Sequence, residues 1–368
     1  MINEEELLAS TKRIIKDASV ENGAIVAANT DKTYYPRDVS PYRYVWVRDA
    51  SFICVAADLL GLEIQTNFFY WCVERAEGFD REGIFQQKYY TNGAKASDQF
   101  QPDQAGTLLW AVWHHYFYRQ RLEDASEFKD LIVKAADGIC KRWDQNHFIV
   151  QIYDLWEERS TFPDLEDNHT YSLAACAKGL RCANAMIDTK IEGEKKKRWL
   201  MCAKEMEETV NKGYSAKRGY FLRTFGMIND ETVDASLLGL AYPFEVFTTD
   251  EPRIVNTVQA IEQKVVEDGG VHRYEKDVYD GWTQAGVLRS KGAGAWPLLN
   301  FWLSIYYSMK REEAKAKQYH EWVLHRLDSP YIPEQIFENS LQRSVCPLVW
   351  AHAMFVLSAH YLTTESVL

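Results

Sequence analysis

The sequence predicts an all-α fold of about twelve helices, and three observations carry that reading. Apolar residues recur at spacings of three and four through most of the chain. Some helical stretches are apolar nearly all round and others on one side only, as buried and covering helices should be. No internal period of the TPR or HEAT kind is visible, which disfavours the solenoid that a helix count alone would equally allow. Two concentric rings of six helices fit best. With no Pro/Gly/Ser-rich linker and no shift of composition, residues 1–368 read as a single domain.

In chain order the periodicity places helices near Glu4–Asp17, Asp49–Leu60, Ile64–Ala76, Asp103–Tyr118, Asp124–Trp143 and Thr170–Met186. Six more are expected near Glu192–Asn211, Thr232–Ala241, Glu251–Val265, Trp296–Met309, Glu312–His325 and Cys346–Leu362. Leu108, Leu109, Val112, Trp113 and Tyr116 show the helical spacing plainly. The segment Trp296–Tyr307 is apolar nearly all round and belongs between neighbours, whereas KIEGEKKKRW belongs on an outer face. Long polar and aromatic connections remain at Thr30–Trp46, Gly78–Gln101, Gln151–Asn168, Gly269–Ala295 and Ser329–Ser344. Connections of that length usually carry function. Gathered at one end of a helical barrel, they would build a pocket.

Composition narrows the class. The net charge of −11 repels phosphate backbones and argues against nucleic-acid partners. No apolar run approaches the ~18 residues of a membrane span, and the charged start MINEEELLASTKRIIKD is unlike a secretory signal. Seven cysteines form no C-x-x-C pair and read as buried, reduced thiols. A soluble, cytoplasmic protein is expected. The 12 Trp, 21 Tyr and 17 Phe exceed what a core needs, and such rings cover the apolar faces of sugars.

Three segments carry chemistry. In Tyr42–Asp49, the alternation sends Tyr42, Tyr44 and Trp46 one way and Arg43, Val45 and Val47 the other. Arg48 and Asp49 then open a helix; an isolated Arg-Asp pair is most often a cap and ion pair, but beside an aromatic wall it suits a polyhydroxylated ring. The second segment is Tyr153–Ser160, where Asp154, Glu157 and Glu158 flank Trp156. An acidic triplet is usually solvated surface, yet a carboxyl packed against Trp is how a general acid keeps its proton. The third is Tyr331–Phe337, where Glu334 follows Pro333. Paired with Glu157, it supplies the second carboxyl that glycoside hydrolysis requires. Other candidates fail: His114, His115, His320 and His325 match no metal motif, Gly292 and Gly294 make no nucleotide loop, no G-x-S-x-G occurs, and Cys346 has no histidine partner in view.

Together these segments resemble glycoside hydrolase family 15, the glucoamylase family. The matching pieces are YRYVWVRDASF from Tyr42, DLWEER from Asp154, VDASLL from Val233, VHRYEKDVYDG from Val271, then IPEQIF and SVCPLVWAHA, in the family's order along nearly the whole chain. The resemblance implies an (α/α)6 barrel and an exo-acting, inverting hydrolase that releases β-glucose from the non-reducing ends of α-glucosides, without metal or organic cofactor. It makes Glu157 the general acid and Glu334 the general base. Arg48 and Asp49 would grip the terminal glucose, Tyr44, Trp46 and Trp156 would wall the pocket, Arg273 would bind sugar, and Asp154 and Glu158 would be polar neighbours of the acid.

The chain departs from the family in three places. It opens directly on the first helix, so no leading β-sandwich domain is expected. Lys95–Gln101 holds no Trp, and Ser160–Asn168 is an unusual acidic loop beside the acid. Malto- and isomalto-oligosaccharides both stay open as substrates, as does a trehalase-type activity. A sugar-binding domain without catalysis is the competing class, but it has no need for both Glu157 and Glu334. Another (α/α)6 enzyme, a lyase or epimerase, would favour His or Tyr in a comparably specific motif, and none is found.

Overall fold

Helices of this protein alternate along the chain between an outer and an inner ring. The computed structural model describes residues 2–36, 39–279, 292–339 and 342–364, and only the backbone of 189–191. Parts of the expected connections Thr30–Trp46, Gly269–Ala295 and Ser329–Ser344 lie outside the described residues. The helices are α1 (Glu4–Ala18), α2 (Val47–Leu59), α3 (Gln65–Glu74), the single turn α4 (Phe79–Glu82), α5 (Pro102–Tyr118), α6 (Lys129–Lys141), α7 (Thr170–Met186) and α8 (Thr189–Lys212). After a 3₁₀ helix at Ala235–Leu240 come α9 (Pro252–Lys264), α10 (Pro297–Met309), α11 (Glu313–Leu324) and α12 (Val349–Thr363).

The inner ring closes on itself. α2 packs on α5, α5 on α7, α7 on the 3₁₀ helix, that helix on α10, α10 on α12, and α12 back on α2. α1, α3, α6, α8, α9 and α11 lie outside, completing an (α/α)6 barrel. Sequence dictates the sorting. α2 is buried from Val47 to Asp58 and α12 from Val349 to Ser358, whereas α1 buries one stripe of Leu7, Thr11, Ile14, Ile15 and Ala18. Even charged α8 covers the barrel through Trp199, Ala203, Met206 and Val210. The inner helices α5 and α7 cross at Gly106 and Gly179, where a Cβ on Gly106 would sit 2.4 Å from the Ala175 carbonyl oxygen.

Three expectations shift. The helix foreseen at Thr232–Ala241 is the six-residue 3₁₀ helix: Asp234 caps it by accepting from the Ser236 N–H, and Pro243, which lacks an N–H, follows close behind. The stretch foreseen as one helix at Asp124–Trp143 divides into a 3₁₀ helix at Leu122–Phe128 and α6. The last helix starts at Val349 rather than Cys346, because Pro347 restricts the residue before it to extended backbone. All seven cysteines are free, six of them buried. Among the described residues no helix is long and apolar enough to cross a membrane.

Outer helices α6, α8 and α9 each run into a two-stranded antiparallel turn: β1–β2 (Trp143–Asp144 with His147–Phe148), β4–β5 (Tyr214–Ser215 with Tyr220–Phe221) and β7–β8 (Val266–Glu267 with Gly270–Val271). β3 (Asn168–His169) pairs instead with β6 (Thr224–Phe225), joining two connections. These turns reverse the chain and lead it to the inner-helix N-termini, whose positive dipole ends favour carboxylates.

Candidate active site

The segment ahead of α2 is extended, with Val45 exchanging backbone bonds with Tyr89 and Ala27 N–H donating to the Tyr44 carbonyl. Its pleat buries Val45 and Val47 and turns Tyr42, Tyr44 and Trp46 to the other side. Arg48 follows in the first turn of α2, 3% exposed, and is anchored on both sides. Its Nε donates to Asp49 (3.2 Å) and a terminal nitrogen donates to Asp103 on α5 (3.2 Å), with the guanidinium 5.4 Å from the Trp350 ring. Burial pushes Asp49 up to about 6, against the opposing pull of Arg48.

Glu157 sits at the tip of a hairpin closed by the Tyr153–Ser160 bridge. Asp154 builds the tip: one carboxylate oxygen accepts from the Glu158 and Arg159 N–H groups, both at 2.9 Å, and the other takes the Arg223 guanidinium. Burial would raise Asp154, but the Arg223 charge, His169 and the hydrogen bonds it accepts together hold the carboxyl below its ordinary range. Glu157 adopts φ +65°, a left-handed conformation that costs a residue with Cβ ~1–2 kcal/mol. Its side chain accepts from Trp46 Nε1 at 2.5 Å and from the Gln87 amide. Burial raises its proton affinity, countered first by Arg48.

Glu334 enters from the connection before α12, its N–H donating to the Val345 carbonyl (2.8 Å). The Tyr279 hydroxyl donates to its carboxylate at 3.4 Å and itself lies 3.0 Å from the Tyr42 hydroxyl. Burial pushes Glu334 up to about 7, despite Arg273 and the two hydroxyls. Arg273 is fixed by a bidentate pair with Asp277 (2.6 and 2.8 Å) and by Glu158 (2.7 Å). Trp156 Nε1 donates to the buried cap Asp234 (3.0 Å), and its ring lies 5.6 Å from Trp296.

A cavity of about 290 Å³ joins these groups, with Trp46, Arg48, Asp49, Trp156, Glu157, Glu158, Arg273 and Glu334 in its lining. Eight of the residues singled out by sequence therefore meet around one space. Tyr44 stands outside that lining, edge-on to Trp46 at 6.0 Å and beside the exposed Tyr90. Asp154 lies beneath it, tied to Arg223. Sequence reasoning left out Tyr279, Trp296 and Trp350, which line the cavity, and Gln87, Asp103, Arg223, Asp234 and Asp277, which hold the lining in place. Tyr279 and Asp277 fall inside the VHRYEKDVYDG segment and were within reach. Two carboxyls on separate segments, Glu334 buried and Glu157 half-buried, facing a space walled by indoles and cations, can hold one proton to give and accept another. Among the described residues no group of three His, Cys, Asp or Glu is placed to hold a metal ion.

The family model described as Glycosyl hydrolases family 15 matches residues 72–360. An uncharacterized glycosyl hydrolase of Methanocaldococcus jannaschii is 30% identical over 353 residues, covering 92% of this chain and 52% of the relative. An isomaltose glucohydrolase of Kribbella flavida is 25% identical, over 97% of this chain and 92% of its own length. A trehalase of Mycolicibacterium smegmatis is 26% identical, over 71% of this chain and 40% of its own. The chain thus spans about half or less of two of these relatives. Among solved structures, a glycosidase superposes with TM-score 0.79 at 24% identity, over 98% of this chain and 99% of the other. A bacterial glucoamylase complexed with acarbose gives 0.76 at 20%, over 97% of this chain and 55% of the other.

Proposed function

The chain belongs to glycoside hydrolase family 15, and on that premise we propose that it is an inverting, exo-acting α-glucosidase of short α-glucosides, with Glu157 as general acid and Glu334 as general base. The observation that carries the reading is the pair itself: buried Glu334 and half-buried Glu157, on separate segments, lining one cavity with Arg48 and Asp49. Arg48 and Asp49 hold the hydroxyls of the terminal glucose while Trp46 and Trp156 wall its ring. Protonated Glu157 gives its proton to the glycosidic oxygen as the C1–O bond breaks and its electrons pass to that oxygen. A water on the opposite face bonds to C1 and loses a proton to ionised Glu334, so the sugar leaves as β-glucose. Inversion calls for about 6.5–9.5 Å between the carboxyls, room for that water.

A space of about 290 Å³ suits a terminal sugar and its linkage rather than a long chain, which supports exo action. The likeness to an isomaltose glucohydrolase over nearly its whole length makes isomaltose the leading substrate, with malto-oligosaccharides next. The trehalases among the relatives keep trehalose as the second reading. We take the barrel as a single catalytic domain, and the free thiols support a reducing, cytoplasmic setting. The test is hydrolysis of isomaltose, maltose, maltotriose and trehalose by the native protein, Glu157→Gln and Glu334→Gln. Each variant should lose at least ~100-fold in turnover; near-native turnover by either one refutes its assigned role.

A further inference from the structure

We infer that Gln87 is a positioning residue for glycosidic bond cleavage, aligning Glu157 through its side-chain amide and favouring the carboxylate that Glu157 becomes as it gives up its proton. This rests on the assignment of Glu157 as the acid. Gln87 does not line the cavity; it stands behind Glu157, buried, on the segment between α4 and α5. Its place is fixed from three directions. Its N–H donates to the Gln99 carbonyl (2.7 Å), its carbonyl accepts from the Gln104 amide (2.9 Å), and its side-chain nitrogen donates to Glu157 Oε2. Gln104 also accepts from the Arg48 N–H (2.6 Å), so the sugar-gripping turn of α2 and the support of Glu157 share one scaffold.

Glu157 needs such support. Its backbone is held left-handed at a hairpin tip, and among the described residues its remaining side-chain hydrogen bond is from Trp46, which meets the other oxygen. Neither donor can take up a proton, so both stay donors whatever the state of Glu157. A neutral N–H bonds more strongly to a carboxylate than to a carboxylic acid. The Gln87 bond therefore strengthens as the proton leaves for the glycosidic oxygen, which is the interaction that lowers a barrier. Among the described residues the other groups facing Glu157 are Arg48 and Asp49 of α2, Tyr42 ahead of it, and Lys88, whose ammonium lies 5.2 Å from the Trp46 ring. Substitution of Gln87 leaves each of them in place.

The test compares the native protein, Gln87→Leu, Gln87→Glu and Glu157→Gln on the best disaccharide and on α-glucosyl fluoride, whose leaving group needs little proton assistance. For Gln87→Leu, kcat on the disaccharide should fall about tenfold with KM nearly unchanged. The alkaline limb of its pH profile should rise by about one pH unit, because the lost donor favoured the ionised acid. Turnover of the fluoride should stay within about threefold of native. Gln87→Glu places a like charge against Glu157 and should move the same limb further up; it carries the test if the leucine variant does not fold. Equal losses on both substrates, or a stationary limb, overturn the inference. Near-native disaccharide turnover by Glu157→Gln, or no turnover of any panel sugar by the native protein, overturns instead the function on which it rests.

Discussion

Replacing Glu334 by Gln should cost at least ~100-fold in turnover and yet stabilise the protein, by an amount that grows as pH rises from about 4.5 to about 7. Glu334 is 4% exposed, and burial lifts it from an ordinary 4.5 to about 7. In the unfolded chain the same carboxyl ionises near 4.5, so between 4.5 and 7 the folded state holds a proton that the unfolded state has released. Stability is thereby lost as pH rises through that window, and above it the full cost applies. At ~1.4 kcal/mol per decade of proton affinity, the gap amounts to ~3 kcal/mol. Unfolding entropy of ~2 cal/mol/K per residue over 368 residues converts this to a rise of ~4 °C in Tm. Glutamine keeps the volume and an acceptor for the Tyr279 hydroxyl but carries no charge. Calorimetric melting of native and Glu334→Gln protein at pH 4, 6 and 8 should show no gain at pH 4, a partial one at pH 6 and the full one at pH 8. An equal shift at all three values, or a loss at pH 8, refutes the reasoning.

The same carboxyl sets an activity limb: kcat/KM of the native enzyme should fall below pH about 7 as Glu334 takes up its proton, and a limb near 4.5 would contradict the burial argument. Asp154→Ala should loosen the Glu157 hairpin and leave Arg223 with one buried partner fewer; turnover should drop and Tm should fall by ~4 °C, about 3 kcal/mol. Unchanged turnover in that variant would separate the hairpin from catalysis. Gly106→Ala should force α5 from α7 and cost ~2 kcal/mol or more by denaturant melting, whereas Gly61→Ala, with open space around it, should cost only ~1 kcal/mol for its positive φ. Equal costs would deny the tight crossing.

Helices were legible because their burial follows a period that residues 3 and 4 apart reveal directly. The inner helix at Ala235–Leu240 was the exception: six residues cannot establish a period, and VDASLLGL is apolar enough for either form of helix. The catalytic-looking carboxyls were legible because each stands in an aromatic or proline-marked connection. Depth was not. Alternation told which way Tyr44 points but not that Trp46 would stand between it and the cavity, and Asp154 looked like a neighbour of the acid when it is the brace beneath. Trp296 and Trp350 were hidden in apolar helical context, where a ring reads as core. Gln87 was invisible for a different reason: an uncharged amide in GIFQQKYY signals nothing until a distant hairpin brings Glu157 to it. Contacts of that kind are set by tertiary geometry alone.

Inversion by Glu157 and Glu334 is tested most directly by proton NMR of the first glucose released from fresh reactions with isomaltose, maltose, maltotriose and trehalose, read before mutarotation scrambles the anomers. The account predicts initial β-glucose from at least one of them. Initial α-glucose would contradict the assignment of one carboxyl to the acid and the other to an attacking water.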